Sequence, residues 1–223
     1  MNGVFIHIPK NAGSSIEEIL PEICPCFKHS PAREVQNILH DYDARFSFAF
    51  VRNPWDRTIS LFEFLKKFHK DQMRRLANVT PVISSEGNEY KRILAGDKNK
   101  FIKSLFENDF HTFIEELVLQ RELKHVGVHG HAQGWQQKEW ITKDQKIIVD
   151  FIGKVENIKQ DIEEVRKKFE IKTKLPWINS TVKAGLQQQD LRYQYYNKTT
   201  MKLIEKAYRD DIEMFNYKYK CGF

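Results

Sequence analysis

Two segments near the start of the chain each run from a short apolar stretch into a loop of turn-forming, hydroxyl and cationic residues. They are FIHIPKNAGSS, residues 5–15, and FAFVRNPWDRTIS, residues 48–60. A buried strand that leads through such a loop into a helix points backbone N–H groups and the positive end of the helix dipole at the loop. Both favour a bound anion. Two such segments therefore predict a sheet that carries two anion sites.

The hydrophobic pattern of the chain alternates strands with helices. Short apolar runs predict buried strands in GVFIHI, ARFSFAFV and KIIVDFIGKV. Apolar residues at helical spacing predict helices in SSIEEIL, NPWDRTISLFEFLKKF, DFHTFIEELVLQ, ENIKQDIEEVRKKF and TTMKLIEKAYRDDIEMF. In the second of these helices Asn53 is the expected N-cap and Pro54 the expected first residue. The alternation predicts a three-layer α/β domain with a central, mainly parallel sheet.

Length and composition fit a single domain over residues 1–223. Of the 223 residues 41% are hydrophobic, which is enough for a substantial core. Residues 70–104 are mostly polar, and this composition predicts an insertion within that domain.

Cysteine usage and hydropathy bear on the compartment. Three cysteines are an odd number and do not suggest a disulfide framework, so a reducing compartment is favoured. No apolar run is long enough for a transmembrane helix, and no signal peptide precedes the first strand. We therefore expect a cytoplasmic protein, with a membrane-anchored form trimmed of its anchor as the alternative.

The distribution of charge along the chain indicates that Lys10 and Arg52 have specific roles. The formal net charge of +6 suggests an anionic partner, but residues 1–60 carry six Lys or Arg against seven Asp or Glu. Lys10 and Arg52 are therefore not members of a general basic patch. We expect no nucleic acid partner.

Two clusters contain residue types that can bind a metal ion. Cys24 and Cys26 form a Cys-Pro-Cys motif, and HVGVHGH brings His125, His129 and His131 close together in sequence. Neither cluster has further ligands at a spacing typical of zinc sites, so no metal is expected.

The loop at residues 9–15, here called the Lys10 loop, has the composition of an anion site. Gly13 allows the backbone to approach a ligand closely, Ser14 and Ser15 offer hydroxyl donors, and Lys10 supplies a point charge. The alternative is a structural turn with a solvated lysine. The Walker A pattern is absent, which counts against a nucleotide kinase.

Residues 52–60, here called the Arg52 segment, predict a second anion site of different construction. Arg52 leaves the end of a strand, where its guanidinium can hold a phosphate through two hydrogen bonds. Ser60 lies in the second turn of the helix that follows. Asp56 and Arg57 are interpreted as residues that stabilise that helix. Two anion sites on one sheet favour a ligand with phosphates at both ends of a nucleoside.

Together the two segments resemble the 5′-phosphosulfate loop and the 3′-phosphate motif of sulfotransferases that use 3′-phosphoadenosine 5′-phosphosulfate (PAPS). The resemblance is closest to the carbohydrate branch, which includes heparan 2-O-sulfotransferases and bacterial relatives. KHSPAREV, QQKEWI, DFIGKVENI and LPWINST are similar to other landmarks of the family, as is a C-terminal pattern formed by Tyr208, Asp211, Phe215 and Tyr217. The resemblance implies the P-loop-NTPase-like sulfotransferase fold, with PAPS as co-substrate.

The resemblance also implies roles for single residues. Lys10 is expected to contact the oxygen that bridges sulfur and the 5′-phosphate, where it stabilises charge on the leaving group. Arg52 and Ser60 are expected to bind the 3′-phosphate. The residues expected to cradle the phosphosulfate are Asn11, Ala12, Gly13, Ser14 and Ser15. The chain departs from the common pattern at Asn11 and Ser14, where threonine is frequent, and at Lys154, where arginine is usual.

Transfer to a hydroxyl acceptor needs a general base, and histidine suits that role near neutral pH. His29 lies in KHSPAREV, the segment that resembles the one in which related enzymes carry their catalytic histidine, so we predict that it is the base. His7 on the first strand is interpreted as a buried supporting residue. His131, Gln137 and Trp140 are predicted to shape the acceptor site.

These observations favour a sulfotransferase that transfers the sulfuryl group of PAPS to a hydroxyl, with a saccharide as the expected acceptor. Two alternatives stay open. One is a non-catalytic module on the same fold that binds nucleotides or acidic glycans. The other is a phosphotransferase similar to nucleotide kinases.

Overall fold

The computed structural model describes residues 2–28, 30–78, 100–122, 135–176 and 188–219, and it contains a parallel sheet between layers of helices. The strands are β1 (Gly3–His7), β2 (Cys26–Lys28), β3 (Phe46–Val51), β4 (Thr142–Lys143), β5 (Lys146–Ile147) and β6 (Phe151–Lys154). The central sheet has the order β2-β1-β3-β6, and all its neighbouring strands are parallel. The predicted three-layer α/β fold with a parallel sheet is confirmed.

The helices lie where the hydrophobic spacing predicts them, with a few additions. They are α1 (Gly13–Glu17), α2 (Ala32–Ile38), α3 (Pro54–Asn78), α4 (Lys100–Glu107), α5 (Phe110–Glu122), α6 (Lys138–Ile141), α7 (Ile158–Lys168), α8 (Gln188–Tyr195), α9 (Lys198–Ala207) and α10 (Arg209–Met214). The start of α3 is as predicted, because Oδ1 of Asn53 accepts a hydrogen bond from the backbone N–H of Trp55 at 3.1 Å.

The two faces of the sheet bury different residues of the same strand, as the two-residue period of a strand requires. Val4 and Ile6 of β1 belong to a fully buried cluster that includes Trp140 of α6. Phe5 points to the other face, in a cluster with Ile16 of α1. Because both faces are covered, β1 is apolar along most of its length.

A third hydrophobic cluster joins helices α3, α4, α5 and α9 beside the sheet. Phe62, Leu105, Phe113 and Ile204 are buried there. Burial of a large apolar side chain contributes ~1.5–3 kcal/mol, so this cluster holds the start of α3 firmly in place. Of the polar insertion predicted at 70–104, residues 79–99 lie outside the described residues, and the rest belongs to α3 and α4.

One strand prediction was inaccurate, and one short strand was not predicted. The run KIIVDFIGKV is not one strand: its first two residues form β5, which pairs with β4 in an antiparallel hairpin, and only Phe151–Lys154 joins the sheet. Asp150 marks the break, since its Oδ2 accepts hydrogen bonds from the backbone N–H and the hydroxyl of Ser47 at 2.8 and 2.9 Å. The edge strand β2 was not predicted, because its three residues carry too little pattern.

The C-terminal helical pattern is also divided. Tyr208, with φ −116° and ψ 28°, lies outside the helical region and separates α9 from α10. In the part of the chain that the structure describes, no helix has the length and apolarity needed to cross a membrane.

Candidate active site

The Lys10 loop and the Arg52 segment leave the same edge of the sheet. Strands β1 and β3 are parallel neighbours, with Phe5 opposite Phe48, so their carboxyl ends lie side by side. Nη1 of Arg52 donates a hydrogen bond to the carbonyl oxygen of Lys10 at 3.2 Å. The two predicted anion sites therefore adjoin each other.

The Lys10 loop is bent by two residues in the left-handed region. Lys10 has a φ of 71° and Ala12 a φ of 61°, which is costly for residues with a Cβ atom. The helix α1 begins immediately after this bend. Its first turn leaves the backbone N–H groups of Gly13 and Ser14 without an intrahelical acceptor.

Gly13 is required at the start of α1 because the loop packs against the ring of His7. A Cβ atom at position 13 would lie 2.0 Å from Nε2 of His7, which is far closer than two heavy atoms can approach. The imidazole is in turn fixed by Glu17, whose Oε1 lies 2.5 Å from Nδ1 of His7. His7 is therefore a buried residue that supports the loop.

Glu17 also joins His7 to Cys26. The Sγ atom of Cys26 donates a hydrogen bond to Oε1 of Glu17 at 2.9 Å. The possible ligand atoms of these three residues all lie within 4.8 Å of one another, a spacing that a metal ion could bridge. The contacts present are hydrogen bonds. No spacing in the sequence points to this trio, because the pairing of β1 with β2 brings it together.

The side chain of Lys10 is half-buried against an aromatic ring. Its Nζ lies 3.8 Å from the ring centroid of Phe64, a residue of α3, and a cation–π contact of this kind is attractive. Burial, together with the nearby charges of Arg52 and Arg57, lowers the pKa of Lys10 to about 7. A bound anion would restore the charged form of this lysine.

Arg57 braces the Lys10 loop and not only its own helix. Its Nε donates to the carbonyl oxygen of Pro9 at 3.1 Å, and its Nη1 donates to that of Trp135 at 2.9 Å. Burial lowers the pKa of Arg57, with the opposing charge of Asp211 among the groups that counteract it. The guanidinium therefore joins the Lys10 loop, α3 and the segment before α6.

Arg52 is half-buried, and its charge is balanced by carboxylates. Burial lowers the pKa of Arg52, while the neighbouring Asp56 and Glu156 oppose that shift. Oε1 of Glu156 accepts the backbone N–H of Asn53 at 2.7 Å, which fixes the start of α3. Ser60 is buried farther along the same helix.

A family model described as "Sulfotransferase family" matches residues 3–218. The chain belongs to the sulfotransferase family. The match covers both the Lys10 loop and the Arg52 segment, and sulfuryl transfer is the reaction class that it supports. A search of the curated proteins and a search of the solved structures each found no match.

In this sulfotransferase the predicted site residues of the Lys10 loop differ in how far their side chains are exposed to solvent. Ser14 is exposed, while Ser15 is buried in α1. The side chain of Asn11 is only 1% exposed, and its Nδ2 donates to the carbonyl oxygen of Phe50 and to Oε1 of Gln137, both at 2.7 Å. Among the described residues no donor reaches Oδ1 of Asn11. His29 lies outside the described residues.

Two of the three predicted acceptor residues are buried and do not line an open surface. Gln137 and Trp140 are both 0% exposed, and Trp140 packs in the cluster that covers one face of the sheet. His131 lies outside the described residues. The direct contact of these residues with an acceptor stays a prediction, whereas the structure shows Gln137 in contact with Asn11 and Arg52.

Phe215 and Tyr217 near the C-terminus contact Lys154 and Glu156, and Glu156 in turn contacts the start of α3. Nζ of Lys154 donates to the carbonyl oxygen of Phe215 at 2.6 Å and lies 4.9 Å from the ring centroid of Tyr217. The hydroxyl of Tyr217 donates to Oε2 of Glu156 at 3.2 Å. Lysine at position 154 therefore meets a single carbonyl oxygen, a contact that does not need the two-pronged geometry of arginine.

Proposed function

We propose that this sulfotransferase transfers the sulfuryl group of PAPS to a hydroxyl group of a saccharide. The observation that carries the proposal is the junction between the Lys10 loop and the Arg52 segment at one edge of the sheet. Their contact, 3.2 Å from Nη1 of Arg52 to the carbonyl oxygen of Lys10, supports treating them as two halves of one site. A nucleoside with phosphates at both ends matches two adjoining anion sites.

The residues at this edge fit such a ligand in charge and in shape. Gly13 and Ser14 offer backbone N–H groups at the start of α1, and the absence of a Cβ atom at Gly13 lets the chain pack closely. Lys10 and Arg52 supply positive charge beside them. In the proposal Ala12 and Ser15 complete the phosphosulfate loop. Arg52 and Ser60 hold the 3′-phosphate.

The proposed reaction is an in-line displacement at sulfur. The acceptor oxygen forms a new bond to sulfur while the bond from sulfur to the 5′-phosphate oxygen breaks, and adenosine 3′,5′-bisphosphate leaves. His29 takes the proton of the acceptor hydroxyl. Lys10 offsets the negative charge that grows on the departing phosphate, and positioning by the two loops supplies much of the remaining rate enhancement.

Ligand binding tests the proposal. By calorimetry, adenosine 3′,5′-bisphosphate should bind more tightly than ATP, and labelled PAPS should pass its sulfuryl group to one or more members of a saccharide panel. Tight binding of ATP with indifference to the 3′-phosphate would contradict the PAPS assignment. Bisphosphate binding without transfer to sugar, lipid or peptide hydroxyls would favour the non-catalytic module instead.

Replacement of His29 by alanine tests the assignment of the base. We expect His29→Ala to keep its affinity for adenosine 3′,5′-bisphosphate and to lose transfer by ~10²–10⁴-fold, the usual contribution of a general base. His40 is exposed beyond α2, so His40→Ala serves as the matched control and should retain wild-type turnover. Undiminished turnover in His29→Ala would remove this residue from the mechanism.

A further inference from the structure

The side-chain carboxamide of Gln137 uses its whole capacity for hydrogen bonds. Oε1 accepts from the backbone N–H of Arg52 and from Nδ2 of Asn11, both at 2.7 Å. Nε2 donates to the carbonyl oxygen of Arg52 at 2.8 Å and to Oδ2 of Asp211 at 3.3 Å. A carboxamide offers two donor hydrogens and two lone pairs, so no position is left over.

Gln137 pairs with Arg52 in the manner of a neighbouring strand. Both the N–H and the carbonyl group of Arg52 bond to the same side chain, directly after β3 ends at Val51. The carboxamide thus fixes the peptide groups on both sides of Arg52. The direction in which the guanidinium of Arg52 leaves the backbone is set by this contact.

The same carboxamide reaches the other loop through Asn11. Asn11 lies between the two left-handed residues of the Lys10 loop, and its Nδ2 also donates to the carbonyl oxygen of Phe50 in β3. Asn11 therefore connects the bend of the Lys10 loop to the strand that leads to Arg52. Gln137 closes the connection between the two anion sites.

Asp211 holds Gln137 in this position. Its carboxylate is 0% exposed and accepts the backbone N–H groups of Gln137 and Lys138, at 2.7 and 2.9 Å. Its Oδ2 meets Nε2 of Gln137 as well. Both the backbone and the side chain of Gln137 are therefore anchored to α10.

We propose that Gln137 is a positioning residue that sets the spacing between the Lys10 loop and Arg52, so that one ligand can place a phosphate at each. This inference rests on the proposed function. When spacing is fixed, binding of one phosphate raises the effective concentration of the second at its own site. When the spacing varies, each loop still binds a phosphate, but the gain in affinity from a second phosphate on the same ligand is smaller.

The test compares two ligands in Gln137→Met, which keeps the length of the side chain and removes its hydrogen bonds. The measured quantity is the Kd of adenosine 5′-phosphate divided by the Kd of adenosine 3′,5′-bisphosphate. We expect this ratio to fall by ~10-fold or more in Gln137→Met, with little change in the Kd of the monophosphate. A residue that only supports the fold would weaken both ligands together and leave the ratio unchanged.

Gln136→Met is the matched control. Gln136 is also buried, but its carboxamide contacts Asp210 and the backbone N–H of Asp211, which belong to α10 and not to the anion loops. Its ratio should stay at the wild-type value. An equal fall in both variants would assign the effect to general packing and overturn the inference.

Two further measurements keep the inference testable if Gln137→Met does not fold. Gln137→Glu keeps the acceptors for Asn11 and Arg52 and loses both donors, so its ratio should also fall. Hydrogen exchange of the Arg52 amide, without ligand, should speed up in Gln137→Ala, which removes the acceptor of this amide, and not in Gln136→Met. An unchanged ratio in a folded variant overturns the inference. Failure of the wild type to prefer the bisphosphate over the monophosphate contradicts the proposed function instead.

Discussion

Replacement of Lys10 by methionine should lower the rate of sulfuryl transfer from PAPS by ~10²–10³-fold, the usual cost of losing one group that stabilises a developing anion. Both residues have long, unbranched side chains, so the left-handed backbone at position 10 is strained equally in the two proteins. Single-turnover kinetics with labelled PAPS measure the effect on the transfer step itself.

Lys66→Met is the matched control for this substitution. Nζ of Lys66 also lies over an aromatic ring of α3, 4.9 Å from the centroid of Phe62, and it pairs with Glu63, away from the Lys10 loop. This variant should keep wild-type turnover. Equal rates for Lys10→Met and the wild type would show that Lys10 does not act on the leaving group.

The same lysine gives the binding step a pH dependence with a definite sign. Because burial lowers the pKa of Lys10 to about 7, the lysine of the free protein loses its proton as the pH rises through that value. An anion binds the protonated form of Lys10 and therefore raises the pKa of this lysine. Above pH ~7 the protein takes up a proton when the anion binds, so the affinity for the anion falls as the pH increases. Calorimetry at pH 8 in buffers of different ionisation enthalpy should show this uptake in the wild type and a smaller one in Lys10→Met.

The start of α3 illustrates what the sequence predicts well. Asn53 and Pro54 are local signals for a helix start, and the apolar run before them is long enough to predict a buried strand. Local chemistry of this kind does not depend on distant residues, so both features are confirmed. The parallel order of the sheet follows from the same alternation of strands and helices.

Features that depend on contacts between residues far apart in the chain could not be predicted from the sequence. The break between β5 and β6 at Asp150 is fixed by a hydrogen bond from Ser47, 103 residues away. The sequence around either residue does not indicate that the two residues pair. The interpretation of Gln137 as an acceptor residue used its resemblance to a family element, which carries no information on where the side chain points. Only the fold places its carboxamide beside Asn11 and Arg52.

We expect the buried ion pair of Asp56 to have a large effect on the stability of the fold. Its carboxylate forms a two-pronged pair with Arg192 of α8, with Nε–Oδ1 and Nη2–Oδ2 distances of 2.6 Å, although the residues are 136 positions apart. The side chains are only 2% and 9% exposed. Asp56→Ala would leave the charge of Arg192 buried without its carboxylate, and it should lower the free energy of unfolding by ~3–5 kcal/mol.

Denaturant unfolding, with two comparison variants, separates this buried pair from an ordinary ion pair. Glu107→Ala removes the partner of Lys103 from a pair that is 56% and 65% exposed, and it should cost less than ~1 kcal/mol. The double variant Asp56→Ala with Arg192→Met should recover much of the loss, because it also removes the buried positive charge and leaves apolar atoms in its place. Recovery is expected to be incomplete, since Asp56 also favours the dipole at the start of α3. If Asp56→Ala cost no more than Glu107→Ala, the charge of Arg192 would have to reach water in the variant, and the pair would not be what fixes α8 to the helix that follows Arg52.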